Sequence, residues 1–458
     1  MKRLPAAVLA ALVLAVGFVG GGQYRPARPW VVPLTPGAST FTEWHGYHYD
    51  AAHSGYNPNI PAAGALSRAW TARLDAAVQA SPLVARGVVI AATENNTMYG
   101  LSPSTGRVVW SRHLATAVTS GLPCGNINPL GITGTPVYDS YTNRVFAVTT
   151  TPNGSSIKHT LVGLDPTTGR QTFARNIDIP GQSPLVENQR GALALSKGRV
   201  LVPYGGHAGD CGSYHGYLVS VTVTNGTGFA YYRAGTGTEA GMWQPSGTSI
   251  DASGYAYNVT GNGSQTSGSW DGGNAVNKFD PVTMRRLSSF APTDWASGNA
   301  NDADLGSAGA ALVGTHVWTQ GKTSTGYVLN QSNLGGVGGQ VSSANGACAT
   351  QFGGPAVHSY NVYAPCTNGV RHLVIGPDGA VHAGWRAPSN VTGSPVVGGQ
   401  RVWSLDPGGG TLYALNEQSG AVAASISVGT TVRFATPALT GRLVLVPTQT
   451  GITAVSGA

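Results

Sequence analysis

One stretch constrains this chain more than any other. Residues 98–110 read Met-Tyr-Gly-Leu-Ser-Pro-Ser-Thr-Gly-Arg-Val-Val-Trp: a short strand, a tight turn built on Pro103 and Gly106, and a second strand ending in a large aromatic. Variants return at 161–171 (LVGLDPTTGRQ), 276–283 (VNKFDPVT) and 412–422 (LYALNEQSGAV). Self-similarity at this spacing marks a repeat architecture.

The units can be located by their openings, each a small residue or Pro followed by apolar positions. They are Ser81-Pro82-Leu83-Val84, Thr135-Pro136-Val137-Tyr138, Gly191-Ala192-Leu193-Ala194, Ser246-Gly247-Thr248, Gly309-Ala310-Ala311-Leu312, Gly354-Pro355-Ala356-Val357, Ser394-Pro395-Val396-Val397 and Thr436-Pro437-Ala438-Leu439. Eight openings at spacings of about 40 to 60 residues suit four-stranded β-propeller blades with longer loops in the middle of the chain. The expected fold is therefore all-β, an eight-bladed β-propeller of four-stranded antiparallel blades. The last unit ends without a fourth strand carrying a Trp. Residues 69–74 (AWTARL) supply one in the same style, so this N-terminal strand is expected to join the last blade, closing the ring and removing two exposed edges.

Composition agrees with an extracytoplasmic β protein. Only 10% of the 458 residues are charged and 66 are Gly, which disfavours both a helical and a charged disordered chain. The net charge of +7 comes from 26 scattered Lys and Arg, without the clustered patch that nucleic-acid binding needs. Lys2 and Arg3 precede an apolar run over 4–20, the layout of a secretory signal. Residues 1–22 are thus read as a signal peptide or an uncleaved N-terminal anchor, 23–43 as a Pro-rich linker and 44–458 as a single propeller domain. The expected location is secreted or cell-surface, with membrane contact only through the N-terminal segment if it is uncleaved. Four cysteines in an exported chain suggest two disulfides, with three pairings open. His45, His48 and His53 fall within nine residues, but their irregular spacing among Gly and aromatics favours a packed loop over a metal site.

The repeat resembles the tryptophan-docking blades of the pyrroloquinoline-quinone (PQQ) propeller superfamily, whose pattern is apolar-Tyr-Ala-Leu-Asp-x-x-Thr-Gly-x-x-x-Trp. Residues 98–110 and 161–171 are the nearest copies, with Ser102 in place of the Asp in the first. That superfamily holds both quinone-dependent alcohol dehydrogenases and non-enzymatic propellers, so fold alone does not decide function. For an enzyme, the resemblance implies PQQ on the propeller axis over a floor Trp, Ca²⁺ or a lanthanide held by a Glu, an Asn and often an Asp, and a carboxylate base. Trp243, in Gly-Met-Trp-Gln, matches the floor position. Asn262, in Thr-Gly-Asn-Gly, matches a metal ligand. Asp210 stands beside the place of the metal-binding Glu, which Cys211 occupies. Asp271 is the candidate base in a shortened loop. Asp302 and Asp304, before the fifth blade, are further candidates for base or cation ligand. No vicinal Cys-Cys pair is present. In such a ring Cys124 and Cys211 lie in corresponding loops of adjacent blades and pair, while Cys348 and Cys366 bridge within the sixth unit.

The first reading is an exported PQQ-like propeller acting as a binding or scaffold protein, with a small molecule, polymer or protein at its axial face. The alternative is a PQQ- and Ca²⁺-dependent dehydrogenase of alcohols or sugars with a reduced site. A glycan-degrading enzyme is a weaker third, because Asp302 and Asp304 are too close in sequence to assign as a pair flanking a substrate.

Overall fold

A computed structural model describes residues 41–457; the signal or anchor assigned to 1–22 and most of the linker lie outside the described residues. The chain forms eight sheets arranged as propeller blades, antiparallel except where the short strand Gly336–Val337 adds parallel to Arg286–Ala291. The repeat read from residues 98–110 is the outer hairpin of the first blade, whose strands are Leu83–Ala85, Val88–Ala92, Thr97–Leu101 and Val108–His113. The inner strands are almost wholly buried, while the outermost is exposed at every position except the half-buried Trp110. Among the described residues helix is confined to Trp295–Ala300 and two 3-10 turns. The eighth sheet draws on both ends of the described chain: Ser67–Arg73 pairs antiparallel with Gly451–Ser456.

The turn in each motif copy has a physical reason. Gly106, Gly169 and Gly420 all have φ near +70°, in the left-handed region that suits glycine. The same glycines leave room for a Trp from the preceding blade. Trp70 packs on Gly106 and donates its indole N–H to Pro103 O at 2.8 Å; Trp110 packs on Gly169 and donates to Pro166 O at 2.9 Å; Trp385 packs on Gly420 and donates to Glu417 O at 3.0 Å. The copy at 276–283 departs from this. Met284 takes the left-handed position with φ +56°, and the preceding blade sends Ser220 Oγ to Pro281 O at 2.6 Å.

The segment with the three histidines fills the middle of the ring as a plug. Its backbone bonds to the innermost strands of five blades, through Trp44 with Val84, His45 O with Tyr138 N, Ala51 O with Ile250 N, Ser54 O with Val357 N, and Gly55 O with Val397 N. Thr42 O accepts from Thr440 Oγ1 of a sixth. The histidines take separate partners: His45 pairs with Glu43 at 3.1 Å, His48 Nε2 meets Thr436 Oγ1 at 3.0 Å, and His53 packs near Tyr47. Burial, with His53 close by, pulls His48 down to about 3, and burial pulls His53 down to about 4. Both are neutral in the folded state.

Two predictions follow from the joints and the plug. Gly169→Ala adds a β-carbon inside contact distance of the Trp110 ring, in a left-handed backbone, so it should cost about 2–4 kcal/mol in urea denaturation. Gly198→Ala has similar φ but open space around it and should cost only about 1 kcal/mol. For the plug, the unfolded chain protonates His48 and His53 below about 6.5 while burial keeps them neutral in the folded chain. Their stabilisation is therefore complete above pH 6.5 and is lost as pH falls towards 4 and below. A His48→Gln/His53→Gln double variant should show a shallower fall in urea midpoint between pH 6.5 and 4 than the wild type.

Candidate axial site

The chain enters each innermost strand from the same side of the ring, and the residues just before those strands converge on the axis. Four positions before the first strand of each blade stand Gln79, Thr133, Arg190, Pro245, Ser307, Phe352, Thr392 and Phe434. Five of these, with Tyr47 of the plug and the hydroxyls of Ser81, Thr135 and Thr436, line a cavity of about 20 Å³, room for one or two waters.

A cation–π ladder runs across this cavity. The Arg190 guanidinium lies 5.9 Å from the Trp243 ring and 4.7 Å from Phe434; Arg433 lies 5.7 Å from Phe434 and 4.1 Å from Phe352. These residues precede blades 3, 4, 6 and 8, so the ladder spans the ring. Burial lowers Arg190 to about 10, opposed by Glu94 and assisted by Arg433. Glu94 is buried and pushed up to about 7 by desolvation, against a Gly131 N–H at 2.8 Å, the nearby Thr133 and the charge of Arg190.

The residues singled out by sequence divide into two groups. Trp243, Asn262, Asp304 and Asp302 come together. Trp243 is embedded among Gly205, Gly241 and Gly261, where β-carbons would lie 2.9, 2.6 and 3.0 Å from it. The Gly261 β-carbon would also lie 2.6 Å from Asp304 Oδ1, so the middle Gly of Thr-Gly-Asn lets indole and carboxylate approach. Asn262 N–H donates to Asp304 Oδ1 at 2.6 Å. Lys322 binds Asp304 Oδ2 at 2.6 Å and Asp302 Oδ1 at 2.7 Å. Burial raises Asp304 to about 6 despite Lys322; burial of the Lys322 ammonium is outweighed by the two carboxylates, which hold it above its usual value.

Asp271 and Asp210 do other work. Asp271 caps its own loop, accepting from Gly273 N at 2.9 Å and Gln265 N at 3.1 Å. Asp210 accepts from Tyr214 Oη at 2.8 Å. Cys211, at the place of the family's Glu, is bonded to Cys124 across blades 2 and 3, and Cys348 is bonded to Cys366. Among the described residues no three His, Cys, Asp or Glu side chains converge as a metal site.

The profile of a family described as outer membrane protein assembly factor BamB matches residues 65–202. No curated protein matches in sequence. Solved structures do match in shape. The quinohemoprotein alcohol dehydrogenase of Comamonas testosteroni superposes with a TM-score of 0.68 at 16% identity, over 90% of this chain and 80% of that one. A europium-containing methanol dehydrogenase gives 0.68 at 13%, over 92% and 99%. BamB of Moraxella catarrhalis gives 0.59 at 13%, over 86% and 100%. The chain is an eight-bladed β-propeller that shares its fold with these proteins. At these identities the likeness is one of fold.

The residues of this propeller do not fit the cofactors that the sequence resemblance implies. A divalent cation beside Asn262 would have to share Asp304 with an ammonium already in ion-pair contact. The axial cavity, about 20 Å³, is more than tenfold below the roughly 300 Å³ at which ligand pockets begin, and Arg190 lies against Trp243. Arg190, Glu94, Phe434 and Lys322 were not singled out from sequence. Superposing the repeats on their first strands exposes Arg190: the column four residues earlier holds a single charge. Lys322 has no such signal.

Lys322→Met should leave Asp304 buried without a counter-charge and cost about 3–5 kcal/mol at pH 8. Because the folded-state value of Asp304 is raised, the bare carboxyl takes a proton as pH falls, so the loss measured by urea denaturation should be smaller at pH 5.

Proposed function

We propose that this PQQ-like propeller is an exported binding or scaffold protein that holds a ligand or partner at its axial face. The observation that carries this reading is Lys322 in two ion pairs with Asp302 and Asp304. The carboxylates that resemblance offers as base and cation ligands already have a resident counter-charge, and Asp271 and Asp210 serve loop and tyrosine contacts. Export is supported by the Lys2-Arg3 and apolar opening and by two disulfides, which persist in oxidising compartments. Among the described residues no helix is long and apolar enough to cross a membrane.

The competing reading is a PQQ- and Ca²⁺-dependent dehydrogenase, favoured by the meeting of Trp243, Asn262 and Asp304 at Gly261. Calorimetric titration with PQQ, with and without Ca²⁺, separates the two. The binding reading predicts no saturable heat in either case and no reduction of an artificial electron acceptor with alcohols or sugars. Tight, Ca²⁺-dependent PQQ binding that Trp243→Ala abolishes would replace it with the dehydrogenase.

A further inference from the structure

The axial cavity has a chemistry that the outer face does not explain. The Arg190 guanidinium faces it with five N–H donors and, among the described residues, makes no hydrogen bond or ion-pair contact within the protein. Arg190 is only partly buried and its nitrogens keep contact with water, and a guanidinium fork without a protein partner is open to a carboxylate-like oxyanion. Glu94 is close enough to feel the charge but spends one oxygen on Gly131 N and leaves the other without a partner. A second donor points the same way. Thr133, only 7% exposed, lines the cavity, and its hydroxyl lies beside Glu94 without closing a hydrogen bond. Gln79, on the same wall, has a side-chain amide with no hydrogen-bond partner among the described residues.

Shape and charge then restrict the occupant. The space of about 20 Å³ admits an ion of a few atoms and no more. The guanidinium fork suits two oxygens in one plane. Arg433, on the far side of Phe434, adds a second positive charge at the entrance.

We propose that this cavity is an internal binding site for a small planar oxyanion of the formate, nitrate or bicarbonate class, held by Arg190 as a bidentate clamp with Thr133 and Gln79 as further donors. The anion would complete the hydrogen bonding of the ladder and lock the approaches to blades 1, 2, 3 and 8 together from inside. This does not depend on what the outer face binds.

The test is calorimetric titration of the purified full chain with sodium formate at constant ionic strength, with sodium perchlorate as the bulky tetrahedral control. Saturable 1:1 binding of formate in the millimolar range, a matching rise in melting temperature and no saturable response to perchlorate are expected. Arg190→Met should weaken formate binding by about tenfold or more, and Thr133→Val, which keeps shape and charge, by several-fold. Absence of saturable formate binding by the wild type overturns the proposal, as does undiminished binding by a folded Arg190→Met. Should Arg190→Met fail to fold, the Thr133→Val and Gln79→Ala variants decide: formate affinity unchanged in both would overturn it equally.

Discussion

The structure depends on the joint between neighbouring blades. An antiparallel sheet of four short strands cannot bury both of its faces, so each blade needs its neighbours in a defined place. Trp70, Trp110 and Trp385 set that place by spanning from an outer strand to the turn of the next blade. A buried Trp contributes a few kcal/mol of apolar burial, and its N–H finds a turn carbonyl, so contact and orientation are specified together. The glycine beneath the ring serves two needs: it takes the left-handed backbone and it presents no side chain. Where the chain lacks the Trp it substitutes at the same location, with Phe173 on Gly226, Ser220 on Pro281 and Ser342 on Gly379.

A ring held at its outer edge leaves a channel at its centre, where the innermost strands carry unpaired backbone groups. The plug at 44–57 answers this by hydrogen bonding along them, which is why its path is so irregular and why His48 and His53 are buried and neutral. On the side where the chain enters each blade, the ladder of Trp243, Arg190, Phe434, Arg433 and Phe352 occupies the axis. The space in which axial ligands of a propeller could sit is thus largely taken by the protein's own side chains. Charge at this face is arranged in two places: Lys322 pairs with Asp302 and the buried Asp304, while Arg190 lies near Glu94 without an ion-pair contact. The buried Asp304 depends strongly on its counter-charge.

Much of the fold was legible in the chain itself. Strand, turn and Trp are properties of a dozen consecutive residues, and their recurrence states the architecture. The pairing of Cys124 with Cys211 could also be named in advance, but the two do not sit in corresponding loops: Cys124 lies in the connection from the first blade to the second and Cys211 between two strands of the third. Trp243, Asn262 and Asp304 could be named in advance, since each belongs to a short local motif. What only the tertiary structure decided was which side chains meet. Lys322 takes Asp304 across the loops around blade 5, and Arg190 meets Phe434 although their blades, the third and the eighth, are not neighbours in the ring. Short-range periodicity writes backbone conformation. The company a charged side chain keeps is set by convergence of distant loops, and that convergence, not the motif, determined whether a carboxylate here is free for chemistry or already paired.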